Sequence, residues 1–322
     1  ETFKVLLIYD IKNNHVIYNT TSGTTNIYKM LGGLQESSVD TKGTSVQDTE
    51  FYYKTQIKTP EFYATTESIN NTSIKVCDDK FDLIVHLAAI VGGRETMEND
   101  PLSVATDLSI DAEFFNWAVR TKQKKVIYFS SSAAYPISLQ AKGTENKLKE
   151  TDIDLNDISS PDFTYGWAKL SGEYLATFAR KYGVKTYVFR PFSGYGETQD
   201  LDYPFPSFIK RAKDKEEKFE IWGDGTQVRD FIHIEDIVEA TVKAVELDIQ
   251  EPINLGSGTP TSFNDLAELI FKVSGWKPKK GIKHRTDKPV GVMFRCSDNS
   301  RMLDFYTPKI SLEEGIRRSL NK

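Results

Sequence analysis

Tyr165 and Lys169 lie four positions apart in a stretch whose apolar residues recur at helical spacing, so the two side chains share one face of a predicted helix. A lysine ammonium one turn from a phenol favours the phenolate, and such a phenol can take and return the proton of a substrate hydroxyl. The same spacing arises by chance on many amphipathic helices. The alternative interpretation is a core tyrosine whose lysine neighbour reaches solvent.

Three consecutive serines, Ser130 to Ser132, end the predicted strand that precedes this helix. Open α/β sheets bind their ligands at the carboxyl ends of the strands, so a serine here could hydrogen-bond the hydroxyl on which Tyr165 acts. The alternative is that the serines only cap the end of the sheet.

The elements that must position these residues alternate between strand and helix. Strands are predicted at 81–89, 125–130 and 185–189, and helices at 107–120 and 165–182. This rhythm is typical of a doubly wound parallel sheet, so we expect an α/β, Rossmann-like domain over residues 1–189.

The rhythm loosens after residue 190, where three prolines, Pro191, Pro204 and Pro206, are expected to interrupt the chain. The charged run at 210–218 is interpreted as a solvated helix face. Later predicted elements are a helix at 232–246, a strand at 252–255 and a helix at 262–274. We expect a smaller α+β lobe over residues 190–322, with 230–258 returning to the first domain.

The composition excludes several classes of protein. Of 322 residues, 41 are basic and 46 acidic, and this net charge of −5 argues against a general nucleic-acid binder. No apolar run is long enough to span a membrane. Residue 1 is not followed by a leader pattern, and two cysteines form no disulfide framework, so a cytoplasmic protein is expected. Nothing in the sequence points to a metal site.

Five motifs, in order along the chain, resemble those of extended short-chain dehydrogenases/reductases, and in particular of NAD-dependent nucleotide-sugar epimerases and dehydratases. The first three are HLAA at 86–89, SSSAAYP at 130–136 and YGWAK at 165–169. The fourth combines RPFSGYG at 190–196 with WGDGTQVRDFIHIED at 222–236, and the fifth combines NLGSG at 254–258 with RCSD at 295–298. The resemblance covers about residues 81–320.

The resemblance implies that Tyr165 deprotonates a sugar hydroxyl, that Lys169 orients the nicotinamide ribose, and that Ser132 bonds the reacting oxygen. Because this chain is one residue shorter before Tyr135 than the family usually is, Ser131 is the alternative to Ser132. The implied cofactor is NAD or NADP. The residues expected to contact it are Gly23, Leu87, Ala88, Ala89, Tyr165, Lys169 and Pro191.

The implied substrate is a nucleotide-diphosphate sugar. Arg229 matches the arginine that commonly holds the diphosphate, and its alternative is a surface arginine paired with Asp230 or Asp224. Ser193, Arg295 and Asp298 are the other expected substrate contacts. A homodimer formed through the helices at 107–120 and 165–182 is implied by the resemblance alone.

Ala133 and Ala134 narrow the expected reaction. Family dehydratases need an Asp-Glu pair directly after the catalytic Ser/Thr, and 3,5-epimerases need a cysteine, whereas alanine can do neither job. The remaining chemistry is oxidation and re-reduction at one carbinol, most simply 4-epimerisation. A catalytically silent scaffold protein and a one-way reductase or dehydrogenase remain the alternatives.

The amino-terminal region departs from the family. Its nearest match to the glycine loop that approaches a dinucleotide follows a predicted strand at 15–19 and retains only Gly23. Three explanations stay open: a divergent cofactor half, a replaced segment, or a sequence that differs from its gene over this stretch.

Overall fold

The computed structural model describes residues 4–8, 18–21, 80–89 and 94–322. In this part of the chain twelve strands occur: β1 (Lys4–Ile8), β2 (Tyr18–Thr21), β3 (Leu83–His86), β4 (Lys125–Phe129), β5 (Lys185–Pro191), β6 (Ser193–Tyr195), β7 (Phe219–Trp222), β8 (Val228–His233), β9 (Ile253–Leu255), β10 (Pro260–Ser262), β11 (Ile282–Arg285) and β12 (Phe294–Arg295). The α-helices are α1 (Arg94–Asn99), α2 (Pro101–Arg120), α3 (Phe163–Lys181), α4 (Pro204–Lys213), α5 (Ile234–Glu246), α6 (Phe263–Ser274), α7 (Ser300–Leu303) and α8 (Leu312–Asn321).

The main sheet has the order β2-β1-β3-β4-β5-β9, and every neighbouring pair is parallel except β1 with β2. Strand β3 is buried on both faces, as its barely alternating apolar run predicts. The α/β fold with a parallel sheet is therefore confirmed. The predicted strands and helices of this region are found, although the helix expected at 107–120 already begins at Pro101.

Two apolar layers cover this sheet. On one face, Ile84 and Val126 pack against Phe114 of α2 and Ala176 of α3. Gly172 of α3 permits the close approach, because a Cβ atom there would lie 1.9 Å from the hydroxyl oxygen of Tyr128. On the other face, strand residues such as Leu83 and Val85 pack against α5 and against Met302 and Tyr306. A single sheet thus fixes α3, which carries the Tyr-Lys pair.

The chain beyond β5 builds a second set of layers. Strands β10, β8 and β12 form a sheet that β6 joins through β8, and β11 pairs with β7. Helices α4 and α6 and the carboxyl-terminal helix α8 enclose its core. Between β8 and β10 the chain returns to the main sheet, because β9 is its last strand and α5 packs on one of its faces. The division of domains at residue 189 stays a prediction.

The prolines of the second lobe do not interrupt it as expected. Pro204 and Pro206 lie in the first turn of α4, where a missing backbone N–H costs no hydrogen bond and the fixed φ suits the helix. The charged run that follows is helical only as far as Lys213. It therefore contributes the last turn of α4 and a loop rather than a continuous helix face.

The strand predicted at 15–19 overlaps β2 only at residues 18 and 19, since residues 15–17 lie outside the described residues. Strand β2 runs in the wrong direction for a glycine loop of the expected kind. It runs antiparallel to β1, with Thr21 opposite Lys4. Its carboxyl end therefore lies at the amino end of β1, away from the edge where parallel strands bind ligands. Gly23 itself lies outside the described residues. Within the described ranges, no helix has the length and apolar character needed to cross a membrane.

Candidate active site

Helix α3 begins against the serines that end β4. Ser132–Ala134 form a single 3-10 turn, and the carbonyl oxygen of Ala133 accepts a hydrogen bond from Asp162 N, at 3.0 Å, just before α3. A Cβ atom on Gly166 would lie 2.4 Å from that carbonyl oxygen, so only glycine lets the helix approach this closely. Tyr165, the neighbour of Gly166, is thereby placed next to the serine turn.

Lys169 is almost fully buried, with 5% of its surface exposed, whereas Tyr165 keeps a partly exposed ring. The Lys169 Nζ atom lies 5.7 Å from the centre of the Tyr165 ring and 5.5 Å from that of Tyr128. This excludes the alternative of a core tyrosine with a solvent-reaching lysine. Among the residues described, nothing accepts a hydrogen bond from the ammonium group.

Buried acidic groups near Lys169 stabilise its positive charge. Burial acts to lower the pKa of Lys169, but the charge interactions with Tyr165, Asp111 and Asp107 outweigh it, so the pKa of Lys169 is raised. Asp111 is itself buried and accepts hydrogen bonds from Tyr128 and from His86 Nε2, the latter at 2.7 Å. The raised pKa favours the charged ammonium beside the phenol.

The three serines have different surroundings. Ser130 donates a hydrogen bond from its hydroxyl to Glu173 and is buried. Ser131 caps the 3-10 turn, since its Oγ accepts from Ala133 N at 3.1 Å, and it stays partly exposed. Ser132 is 6% exposed and lies within the turn. Ser131 and Ser132 thus remain the two candidates, and Ser130 is occupied elsewhere.

No acid or thiol stands in the serine turn. Ala133 and Ala134 are 3% and 1% exposed, and Tyr135, which follows them, is fully buried. The Tyr135 hydroxyl donates to Asn254 Oδ1 at 2.6 Å and accepts from Arg190 at 3.0 Å. These contacts commit Tyr135 to the interior, so it is not a second phenol for the substrate.

Apart from Gly23, which lies outside the described residues, the residues expected to contact a dinucleotide lie at one edge of the main sheet. Leu87, Ala88 and Ala89 directly follow β3, and Pro191 ends β5. Both strands run parallel to β4, so their carboxyl ends meet the edge where the serine turn begins. The structure thus brings these residues to the edge that carries Tyr165 and Lys169.

Arg229 does not pair with a neighbouring acid. Its guanidinium donates to the backbone carbonyls of Val228 and Val292, both at 2.8 Å, and to Val290 at 3.3 Å. Among the described residues it forms no ion pair. Burial and the nearby Arg295 lower the pKa of Arg229 to about 9, although Asp162 acts in the opposite sense.

The alternative of a surface ion pair for Arg229 is therefore wrong. Asp230 accepts hydrogen bonds from Ser257 and Ser297 instead, and Asp224 accepts from Thr226. The carboxylate of Asp230 ties the loop after β9 to the segment after β12, and so fixes the backbone beside Arg229 and Arg295.

Arg295 shares a buried carboxylate with Arg94, which the sequence pattern does not single out. Asp162 accepts from Arg295 at 2.7 Å and from Arg94 at 2.9 Å. Glu98 pairs with Arg94 on its other side, at 2.6 Å. The arginine cluster, defined as Arg94, Arg229 and Arg295, thus has two carboxylates for three guanidinium groups. Burial favours an anionic ligand for the unmatched charge.

The other two expected substrate residues have weaker structural support. The Asp298 carboxylate accepts from the backbone and hydroxyl of Ser300, so it caps α7. This lowers the pKa of Asp298. Ser193 begins β6, pairs with Phe231 of β8 and is partly exposed. In the described ranges, neither side chain forms a hydrogen bond or ion pair with the arginine cluster.

The sequence analysis missed Arg94, Asp162, Glu173 and Arg190 as site residues. Glu173 could have been found, because it continues the four-residue spacing of Tyr165 and Lys169 on α3. Asp162 stands near the start of the same helix, where an acidic residue reads as an ordinary cap. Arg94 carries no local signal, because its partner is 68 residues away.

A parallel α/β sheet, with a Tyr-Lys pair on the helix beside the carboxyl end of a serine-tipped strand, defines an extended short-chain dehydrogenase/reductase. Residues 39–256 match the model of the NAD dependent epimerase/dehydratase family. This chain belongs to that family, whose members bind NAD(P). The match begins after Gly23, which therefore lies outside it.

Similar proteins include several that act on nucleotide sugars. The chain is 29% identical over 265 residues to a GDP-mannose 3,5-epimerase of Arabidopsis thaliana, covering 80% of this chain and 68% of that protein. The UDP-glucuronic acid 4-epimerase of Bacillus cereus, solved with UDP-glucuronic acid and NAD, is 27% identical with a TM-score of 0.64, covering 75% of this chain and 74% of that one. A UDP-glucose 4-epimerase of Thermotoga maritima, solved with UDP-glucose, matches in fold with a TM-score of 0.69 at 24% identity, covering 92% and 94%.

Proposed function

We propose that this protein is an NAD(P)-dependent nucleotide-sugar epimerase that oxidises and re-reduces one carbinol of the sugar, C4 in the simplest case. The observation that carries the proposal is the pairing of Tyr165 with a buried, charged Lys169 beside a serine turn that contains no other acid or thiol. This set suffices to move one hydroxyl proton and supplies nothing for a second proton transfer.

The described residues fit the nicotinamide end of a dinucleotide. Lys169 presents a buried ammonium with no hydrogen-bond acceptor in the described part of the chain, and a ribose diol would supply one. Ala88 and Ala89, both small and buried, directly follow β3, and their short side chains are compatible with a flat ring packed against this edge of the sheet. When bound, the nicotinamide would accept and return the hydride of the carbinol carbon.

Tyr165 is the proton carrier in this proposal. Its phenolate oxygen would take the hydroxyl proton as the carbinol becomes a carbonyl, and would return it after the sugar has turned its other face. Lys169 stabilises the phenolate by its charge. The hydroxyl of Ser131 or Ser132 would donate a hydrogen bond to the reacting oxygen and hold it near the phenol.

Ala133 and Ala134 support a reaction confined to one carbon. Elimination of water or epimerisation beside a carbonyl requires a second acid or base on the sugar ring, and an alanine methyl group cannot carry a proton. The likeness to a 3,5-epimerase therefore supports the family and the nucleotide-sugar substrate, whereas these two residues favour the simpler chemistry.

The arginine cluster is the proposed site of the substrate diphosphate. In the described part of the chain Arg229 donates its hydrogen bonds to backbone carbonyls and has no acidic partner, and its positive charge lies beside that of Arg295. A diphosphate would neutralise this surplus and accept the fork of guanidinium hydrogen bonds. Asp298 and Ser193 are proposed to contact the substrate from the segments on either side of this cluster.

The proposed assembly is a homodimer. Trp167, Tyr174 and Phe178 lie on one face of α3 and are 42%, 45% and 39% exposed, and Leu108 of α2 is 40% exposed. Large apolar side chains grouped on two adjacent helices favour burial against a second copy of the same surface.

The test is incubation of the purified protein with separate GDP-, UDP- and dTDP-linked hexoses and uronic acids and a catalytic amount of NAD or NADP, followed by NMR of the sugars. We expect the C4 epimer of one substrate with no net reduction of cofactor. Tyr165→Phe should abolish this turnover while preserving the circular dichroism spectrum and thermal midpoint.

Other outcomes overturn the proposal in distinguishable ways. Stoichiometric formation of reduced cofactor would instead identify a one-way dehydrogenase. No turnover with any substrate, in a protein that also retains no dinucleotide, would identify a silent scaffold. Turnover that survives Tyr165→Phe would remove the assigned proton carrier.

A further inference from the structure

A buried polar network holds the serine turn at both of its ends. Before the turn, the Ser130 hydroxyl donates to the carboxylate of Glu173. After the turn, the Tyr135 hydroxyl accepts from Arg190 at 3.0 Å and donates to Asn254 Oδ1 at 2.6 Å. Residues 131–134, which include both candidate catalytic serines, are therefore fixed by hydrogen bonds on either side.

The two anchors of this network are joined by an ion pair. Arg190 Nε and Nη2 donate to the two carboxylate oxygens of Glu173 at 2.9 and 2.7 Å, and both side chains are 2% exposed. Arg190 Nη1 also donates to the backbone carbonyl of Glu150 at 2.9 Å. All three guanidinium nitrogens are thus used, and the paired forks leave little freedom of rotation.

Helix α3 carries one end of this ion pair together with the proton carrier. Tyr165, Lys169 and Glu173 follow each other at intervals of four residues, so they line one face of one helix. A rigid helix fixes the distance between the phenol and the Glu173 carboxylate. The hydrogen bond from Ser130 then sets the serine turn at a defined place relative to Tyr165.

The network extends to the segment that follows β12, the strand that contains Arg295. Asn254 Nδ2 donates to the backbone carbonyls of Leu148 and Asp298, at 2.8 and 3.0 Å. Its backbone N–H donates to Glu150 Oε1 at 2.9 Å. Tyr135 thereby connects the serine turn, through a single side chain, to the loop that bears a proposed substrate contact.

Stability alone does not account for this arrangement. A buried ion pair recovers little more than its own desolvation cost, and apolar residues of similar volume often stabilise a fold as well or better. Unlike apolar packing, the hydrogen bonds of the pair fix the orientation of each side chain. A fixed orientation is useful where a serine hydroxyl must hydrogen-bond a reacting oxygen.

We propose that Ser130, Tyr135, Glu173 and Arg190 are positioning residues that hold the catalytic serine in register with Tyr165. The inference rests on the proposed epimerase function and adds to it four residues that do not touch the substrate. Small displacements of a reacting group are sufficient to slow catalysis, with a shift near 1 Å costing about 100-fold in rate.

The experiment compares Tyr135→Phe and Ser130→Ala with the matched control Tyr187→Phe. Tyr187 lies on the same strand as Arg190, has a fully buried ring and donates to Asp248 at 2.7 Å, outside the network. Tyr135→Phe and Ser130→Ala should each lower kcat by about 10- to 100-fold with KM nearly unchanged. Tyr187→Phe should leave kcat within about twofold of wild type.

Hydrogen exchange of the peptide covering residues 130–136 gives a second readout that does not need turnover. Tyr135→Phe should accelerate its exchange, whereas Tyr187→Phe should not. If the wild-type protein proves inactive, the proposed function fails and this exchange measurement still decides the inference. Unchanged exchange in Tyr135→Phe, or a kcat no lower than that of the Tyr187→Phe control, would overturn it.

Discussion

Two charged regions flank the Tyr165 phenol, and they differ in the balance of their positive and negative charges. The buried polar network that holds the serine turn pairs Arg190 with Glu173 and gives each guanidinium nitrogen of Arg190 an acceptor. The arginine cluster places three guanidinium groups beside two carboxylates, and the Arg229 guanidinium donates to backbone carbonyls and lies over the Phe263 ring without forming an ion pair among the described residues. A balanced network fixes geometry, whereas an unbalanced one creates a place for an anion.

Helix α3 connects the two regions. Asp162, which precedes its first residue, binds two arginines of the cluster, and Glu173, about three turns later, binds the arginine of the network. Tyr165 and Lys169 lie between them. We therefore expect that changes in the network act on rate and stability, and that changes in the cluster act on substrate binding.

The largest effect is expected at the residue between the two regions. Tyr165→Phe removes the proton carrier and should lower kcat by about 100- to 10,000-fold, the usual contribution of general acid-base catalysis. The ring remains, so the thermal midpoint should not change. Turnover of the nucleotide sugar and a melting curve check both parts. A variant that keeps a tenth of wild-type kcat, or thereabouts, would contradict the assigned role.

The balanced network should be intolerant of losing one charge. Glu173→Gln leaves Arg190 buried with an uncompensated charge and should lower the free energy of unfolding by about 3–5 kcal/mol, measured by urea denaturation. The matched control is Glu268→Gln, which removes an exposed partner of Lys277 and should hardly move the midpoint.

A double variant separates position from stability in the same network. Arg190→Met with Glu173→Leu removes both charges and should regain much of the stability lost in Glu173→Gln. Its kcat should remain low, because the hydrogen bonds that hold the serine turn are gone. Recovery of wild-type kcat in the double variant would show that the pair serves the fold alone.

Arg229 tests the other side of the comparison. Arg229→Met should raise KM for the nucleotide sugar by about 10- to 100-fold, the usual cost of a lost charged hydrogen bond, with a smaller change in kcat. Arg317→Met provides the control, since the ion pairs of Arg317 in the described residues are with Glu313 and Glu314 of its own helix, α8. A pure kcat effect at Arg229 would place it in the chemistry rather than in binding.

The smallest effect concerns the acid side of stability. Burial acts to raise the pKa of Asp162, but Arg295 and Arg94 outweigh it, so this pKa is lowered. A carboxyl group with a lowered folded-state pKa stabilises the fold above its unfolded pKa of about 4, and this contribution is lost as pH falls through the folded value. Asp162→Asn cannot titrate, so its thermal midpoint should fall less steeply below about pH 4 than that of wild type. Parallel curves would contradict the ion pairs.

The sequence predicted what depends on local pattern. Tyr165 and Lys169 are recognisable because one helix turn relates them, and the buried strand β3 is recognisable because its apolar run barely alternates. The prolines of α4 misled because a proline that begins a helix resembles one that breaks it.

The rest of the site depends on contacts between distant segments. Asp162 meets Arg94 across 68 positions and Arg295 across 133, and no spacing rule predicts such a meeting. The choice between Ser131 and Ser132 also turns on three-dimensional detail, because the two hydroxyls differ in burial and in a cap that only the folded turn creates.

The most direct test of the central claim, chemistry at a single carbinol, is turnover in D₂O followed by mass spectrometry and NMR of the nucleotide sugar. We expect epimerised product without deuterium on any carbon, because Ala133 and Ala134 offer no group that could exchange a carbon-bound proton with solvent. Deuterium bound at a carbon beside the oxidised position would contradict it and would show a second acid or base at work.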